Sequence, residues 1–208
     1  MRRFFAYLSR LKLISRWGLM RNTLTENDAE HSFQAAVIAH GIALTAVARF
    51  GRNIDPEYVT ALALYHDAHE VITGDMPTPV KYHNPRMRKN VAELETEATA
   101  LLLDLLPRDL RTLYRPYLQP DETSLEWRIV KAADRICAYI KCVEENRAGN
   151  REFDRAAKTV LASIKAIDLP EVQAFFDETA PGFGMTLDEL SRAPGKNAAK
   201  AGPPAQDK

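Results

Sequence analysis

The sequence predicts an all-α fold, a single helical bundle without a sheet. Three observations carry this. Apolar residues recur three and four positions apart in segment after segment, helix starts carry capping residues, and strand-like alternation is nearly absent. The chain has 208 residues, enough for one domain with a substantial core. No internal repeat or linker divides residues 1–192, which are read as that domain.

Phe4, Leu8, Leu11 and Ile14 share one helical face, and Arg16-Trp17-Gly18 ends the pattern. Asn27, with Glu30 three positions later, has the form of a capping box; the helix it opens is expected to end near Phe50-Gly51. Asp55-Pro56 opens the next, with Asp as N-cap and Pro in the first turn. That helix is expected to continue through His66-Asp67 to Thr73-Gly74. Gly74, Pro77, Pro79 and Pro85 mark a loop over 74–85. Further helices are expected over 86–106, over 108–117, and from Thr123 or Ser124 to Gly149. Segments 151–167 and 170–180 are helical in spacing again, and Thr186 with Glu189 caps a final short turn. Residues 193–208 are rich in Ala, Pro, Gly and Lys and read as a disordered tail.

Lys plus Arg equals Asp plus Glu at 28 each. The bulk charge therefore offers neither the coat of a nucleic-acid binder nor a polybasic membrane anchor, while a local basic pocket for phosphate stays open. No stretch approaches the roughly 20 apolar residues of a membrane span. The apolar residues of 1–17 are interrupted by Ser9, Arg10 and Lys12, unlike a signal-peptide core. Cys137 and Cys142 are rotated by about 140° on a helix, which disfavours a disulfide. Two reduced thiols fit a cytoplasmic protein.

His31, the adjacent His66-Asp67 and Asp134 carry the most chemistry. Two imidazoles and two carboxylates form a mixed nitrogen and oxygen set suited to a divalent transition metal. His31 lies 35 positions before His66, and Asp134 lies 67 after Asp67. Only a folded domain assembles such donors, which points to metal-assisted hydrolysis. On a continuous helix each residue turns about 100°. A metal facing between His66 and Asp67 then has Glu70 nearly in line with it and His69 pointing away. His40, on the far side of its helix from His31, and His83 in the loop read as bystanders. Asp134 is less one-sided: its neighbours Val130, Lys131, Cys137 and Ala138 are mostly apolar. A carboxylate there needs a partner, either a metal or a salt bridge to Lys131 or Arg135.

Tyr65-His66-Asp67-Ala68-His69-Glu70, preceded by Glu30-His31-Ser32 and followed by Lys131-Ala132-Ala133-Asp134, resembles the HD-domain superfamily of metal-dependent phosphohydrolases. Two more segments look like its bacterial 5′-deoxynucleotidase branch. They are Leu11-Lys12-Leu13-Ile14-Ser15-Arg16-Trp17 and Gly74-Asp75-Met76-Pro77-Thr78-Pro79-Val80-Lys81-Tyr82. The resemblance runs from about residue 4 to about residue 190. It implies an HD-domain helical bundle, its metal site between helices, that removes phosphate from deoxyribonucleoside 5′-monophosphates.

The resemblance also implies roles. His31, His66, Asp67 and Asp134 hold the metal, and His31, Asp67 and Asp134 meet the substrate phosphate too. Arg16 orients that phosphate, a task suited to a guanidinium fork. Trp17 lies against the sugar, where its ring excludes a 2′-hydroxyl. Asp75, Met76, Pro77 and Thr78 form the loop that closes over the nucleotide. Glu70 is expected as the base toward water, and Asp75 as the acid toward the leaving oxygen. Co²⁺ or Mn²⁺ is favoured, with Fe²⁺, Zn²⁺ or Cu²⁺ also compatible with the donors. A homodimer is implied, acting on a small molecule rather than on a nucleic acid polymer or a membrane. HD-domain phosphodiesterases and triphosphohydrolases share the donors but not the Arg16-Trp17 and Asp75–Pro79 segments. A non-catalytic nucleotide-binding regulator is expected to have a gap in the donor set, and none is visible here.

Overall fold

The computed structural model describes residues 3–192, and no strand occurs among them. The helices in chain order are α1 (Phe4–Leu8), α2 (Asp28–Phe50), α3 (Pro56–Tyr65), α4 (Glu70–Thr73), α5 (Thr78–Lys81) and α6 (Pro85–Asp104). They continue as α7 (Arg108–Leu118), α8 (Leu125–Arg147), α9 (Asp154–Lys165), α10 (Pro170–Thr179) and α11 (Leu187–Leu190). The tail expected over 193–208 lies outside the described residues.

Side chains cap several starts. Asn27 accepts from the Ala29 and Glu30 N–H groups, Asp55 from Glu57 and Tyr58, and Ser124 from Trp127. Thr186 and Glu189 form a reciprocal capping box. Gly51 ends α2 at φ 61°, a left-handed cap that glycine adopts without strain.

Three expectations need correction. The first helix is not continuous: α1 ends at Leu8, and Leu11–Leu13 forms a separate 3₁₀ turn. The loop over 74–85 contains α5, a single helical turn. The helix expected to run from 56 to Gly74 is broken at 66–69. His66 and His69 keep right-handed angles there, but the hydrogen bonds tighten to three-residue spacing. Ala68 N–H bonds the Tyr65 carbonyl at 3.0 Å, and Glu70 N–H bonds the Asp67 carbonyl at 2.9 Å. The His66 ring also engages the Ala63 carbonyl at 2.8 Å, for which the Asp67 N–H competes in an unbroken helix.

α2, α3 and α8 make the centre of the bundle. Ala35, Ala39, Ala43 and Ala46 of α2, Ala63 of α3, and Ala132 and Ala133 of α8 are all buried. Such small side chains let helix axes approach closely. Ile42, Leu62, Ile129 and Ile136 fill the remaining space, with Ile164, Val172 and Phe176 closing it from α9 and α10. A second cluster of Phe4, Leu102, Leu103, Leu106 and Leu118 packs α1, α6 and α7 around Ala68. The 66–69 turn is thus fixed between two apolar cores. Contrary to the expectation that no stretch approaches a membrane span, α2 is by length and composition apolar enough to cross one. Its apolar residues instead divide between this core and an exposed stripe of Phe33, Val37, Leu44 and Val47.

Candidate active site

The structure brings ligand atoms of His31, His66 and Asp134 within 4.8 Å of one another. His31 Nε2 lies 3.3 Å from His66 Nε2 and 3.3 Å from Asp134 Oδ1. Asp67 Oδ2 joins them, 3.1 Å from His66 Nε2 and 3.5 Å from His31 Nε2. A carbonyl only accepts, so His66 Nδ1 carries the proton toward Ala63 and leaves its Nε2 lone pair facing the cluster. Two imidazole nitrogens and two carboxylate oxygens gathered this closely call for positive charge, and this donor set fits a divalent cation. The electrostatics agree. Burial opposes charge on His31, but Asp134, Asp67 and Glu26 outweigh it and raise its pKa well above the ordinary value.

Of the partners that its sequence context left open, Asp134 takes the Lys131 salt bridge, and its other oxygen is left facing the cluster. Its Oδ1 faces His31, while Oδ2 takes Lys131 Nζ at 3.2 Å. Burial opposes its ionisation, but Lys131 and the histidines hold it well below the usual carboxylate range.

Arg16 reaches the cluster, with Trp17 beside it in sequence, because their loop is clasped to the start of α2. Ser15 and Asn27 pair as an isolated antiparallel bridge, with Arg16 N–H on the Glu26 carbonyl at 3.0 Å. The loop is also tied to α8. Buried Glu145 accepts from the Thr23 and Leu24 N–H groups and the Thr23 hydroxyl, while Lys141 bonds both Glu145 and the Leu24 carbonyl. Arg16 Nη1 then lies 3.4 Å from Asp67 Oδ2, 3.6 Å from Asp28 Oδ1 and 4.0 Å from Glu70 Oε2. Trp17 is half-buried against Phe153, ring centroids 5.4 Å apart, and donates its indole N–H to Glu26 Oε2 at 2.8 Å. It is no buried plug of the core.

Glu70 stands next to the donors despite the helix break. Burial, then the charges of Asp67, Asp28 and Asp75, push its pKa up to about 10 against the pull of Arg16. Burial also raises Asp75, and its charge and that of Arg16 influence each other. Met76 and Pro77 are half-buried and Thr78 is exposed; none hydrogen-bonds to the donors among the described residues. His69 points away, its Nε2 3.7 Å from Glu95, which also takes Lys81 Nζ at 2.6 Å. His83 is exposed. Both cysteines are free and buried.

Two acidic residues escaped the sequence reading. Glu26 meets His31, Arg16 and Trp17 from outside the helix whose spacing was read. Asp28 has no exposed surface, and neither of its oxygens has a hydrogen-bond partner. Burial, with the charges of Asp67 and Asp75, pushes it up to about 6. From sequence it reads as an ordinary first-turn acid, and no spacing signal marks it.

Residues 3–183 match the family described as 5′-deoxynucleotidase YfbR-like. A 5′-deoxynucleotidase from Photorhabdus laumondii is 47% identical over 192 residues, covering 92% of this chain and 98% of the relative. Among solved structures, an HD-domain phosphohydrolase from Listeria innocua superposes with a TM-score of 0.76 at 26% identity, covering 87% of this chain and 88% of that one. A cyanophage S-2L HD phosphohydrolase, bound to dA and one catalytic Zn²⁺ ion, superposes at 0.60. At 20% identity, with 87% of this chain and 96% of that one covered, it shows likeness of fold.

Proposed function

The chain belongs to the YfbR-like 5′-deoxynucleotidase family and is a phosphoric monoester hydrolase, and we propose that it hydrolyses deoxyribonucleoside 5′-monophosphates at the His31, His66, Asp67 and Asp134 cluster. The observation that carries this is Arg16 Nη1 at 3.4 Å from Asp67 Oδ2. It sets a phosphate-binding guanidinium against the donors that meet the reacting phosphate. The four residues would hold one divalent cation, with Co²⁺ or Mn²⁺ favoured. When bound, the cation draws charge from the phosphoryl oxygens and makes a nearby water more acidic.

The chain's own groups supply the rest. Arg16 holds the phosphate in line for displacement. Glu70, beside the donors and outside their cluster, is the group to accept a proton from the attacking water. The water oxygen bonds to phosphorus as the bond to the 5′-oxygen breaks. Asp75 gives that oxygen a proton, and its raised pKa suits it to carry one. Trp17 fills the space of a 2′-hydroxyl and selects the deoxy sugar, while Met76, Pro77 and Thr78 close over the nucleotide.

The reading extends to a cytoplasmic homodimer. Two free thiols support the compartment. Exposed Phe33, Val37, Leu44 and Val47, spaced by four, seven and three, support an interface of coiled-coil type on α2. The test is a phosphate-release panel of deoxyribo- and ribonucleoside 5′-monophosphates, di- and triphosphates with Co²⁺ or Mn²⁺. Release from deoxynucleoside monophosphates, abolished by chelation, is expected. Equal rates on both sugars would remove the proposed role of Trp17, and preference for triphosphates would remove the substrate.

A further inference from the structure

Glu26 belongs to none of the motifs, yet its carboxylate meets three groups used above. Oε1 lies 3.5 Å from His31 Nδ1 and 3.6 Å from Arg16 Nε, while Oε2 accepts from the Trp17 indole at 2.8 Å. Its side chain is only 15% exposed, so these contacts are poorly screened by water. Burial opposes its charge, but His31, Arg16 and Trp17 together hold its pKa below the ordinary carboxylate value.

Trp17 needs such a hold. It has φ 58°, the one positive φ at a non-glycine residue among those described. A bulky side chain takes that backbone only where its surroundings enforce it. The Asn22 amide steadies the Trp17 carbonyl at 3.3 Å, and Phe153 packs on the ring. The Glu26 bond grips the indole N–H edge and so fixes the ring's rotation. On the opposite side, the carboxylate 3.5 Å from His31 Nδ1 is a charge contact rather than a hydrogen bond; it favours a proton on Nδ1 and so leaves Nε2 free to bind a cation.

We propose that Glu26 is a positioning residue that couples metal binding to sugar selection, orienting the His31 imidazole with one oxygen and the Trp17 indole with the other. This rests on the donor set and the Trp17 role proposed above. The carboxylate presents an acceptor to every neighbour at once. A glutamine there has one acceptor oxygen and an NH₂ group, so it serves one N–H partner and confronts the other.

The test compares Glu26→Ala and Glu26→Gln in the full chain, with folding checked by circular dichroism. Three quantities are read: Mn²⁺ affinity by calorimetry, the deoxyribo-to-ribo ratio of kcat/KM, and acrylamide quenching of Trp17 in a Trp127→Phe background. Glu26→Ala is expected to weaken Mn²⁺ binding by about 10- to 100-fold. It is also expected to cut the sugar ratio roughly tenfold and to expose the indole to quencher. Glu26→Gln is expected to restore either metal affinity or sugar ratio, not both. Three results would overturn the proposal: both quantities unchanged in Glu26→Ala, loss of only one of them there, or loss of both in Glu26→Gln. A Trp17→Ala control separates the readings. If it leaves the sugar ratio unchanged, the role of Trp17 fails, while metal affinity and quenching still decide the case of Glu26.

Discussion

Glu70 Oε2 is buried, has no hydrogen-bond partner and sits 4.0 Å from Arg16. A group in that position, outside the donor cluster, is free to handle a proton without holding the cation. Glu70→Ala is expected to retain Mn²⁺ affinity while kcat falls by roughly 10²- to 10⁴-fold. Turnover near the wild-type rate would remove it as the base. The grouping of His31, His66, Asp67 and Asp134 was legible because His and Asp stand out within helices otherwise rich in Ala and Leu, and the fold does bring them together. Glu26 and Asp28 were not, because their meaning arises only where the 15–27 loop folds back on α2. The directions of Glu70 and His69 came out as the helical wheel gave them. The helix under that wheel, however, is interrupted at 66–69.

Among the elements, starts were legible wherever a side chain caps them, as at Asn27, Asp55, Ser124 and Thr186. The interruption was not, since His66 and His69 keep right-handed backbone angles and the turn departs from an α-helix in its hydrogen-bond spacing. What fastens the loop carrying Arg16 and Trp17 is also tertiary, the buried pairing of Lys141 with Glu145. Burial opposes the Glu145 charge, but Lys141, Thr23 and Asn150 hold its pKa below the ordinary carboxylate value. A group whose folded pKa is depressed contributes fully above its unfolded value, near about 4.3, and loses that contribution as pH falls toward the folded value. Glu145→Gln is therefore expected to lower the Tm at neutral pH, with the gap to wild type narrowing below about pH 4. A gap that stays constant across this range would assign the effect to packing instead.

At the scale of the molecule, α2 faces two ways. One side supplies His31 and the alanines of the core, and the other leaves Leu44 at 48% and Phe33 at 68% exposed. A stripe of this kind is expected to be covered by the same stripe of a second copy, an isologous contact. Light scattering behind gel filtration is expected to give twice the 23.4 kDa chain mass, and Leu44→Glu to halve it. A wild-type monomer at micromolar concentration would sink the dimer.

The bridge between Ser15 and Asn27 joins two proposed tasks. The residues proposed to hold the cation sit on elements packed in the apolar interior, while Arg16 and Trp17 ride on a short stretch stitched on from outside. A rewritten stretch that keeps Glu26 is therefore expected to change the preferred phosphoester while sparing the cation, whereas one that loses Glu26 is expected to disturb both.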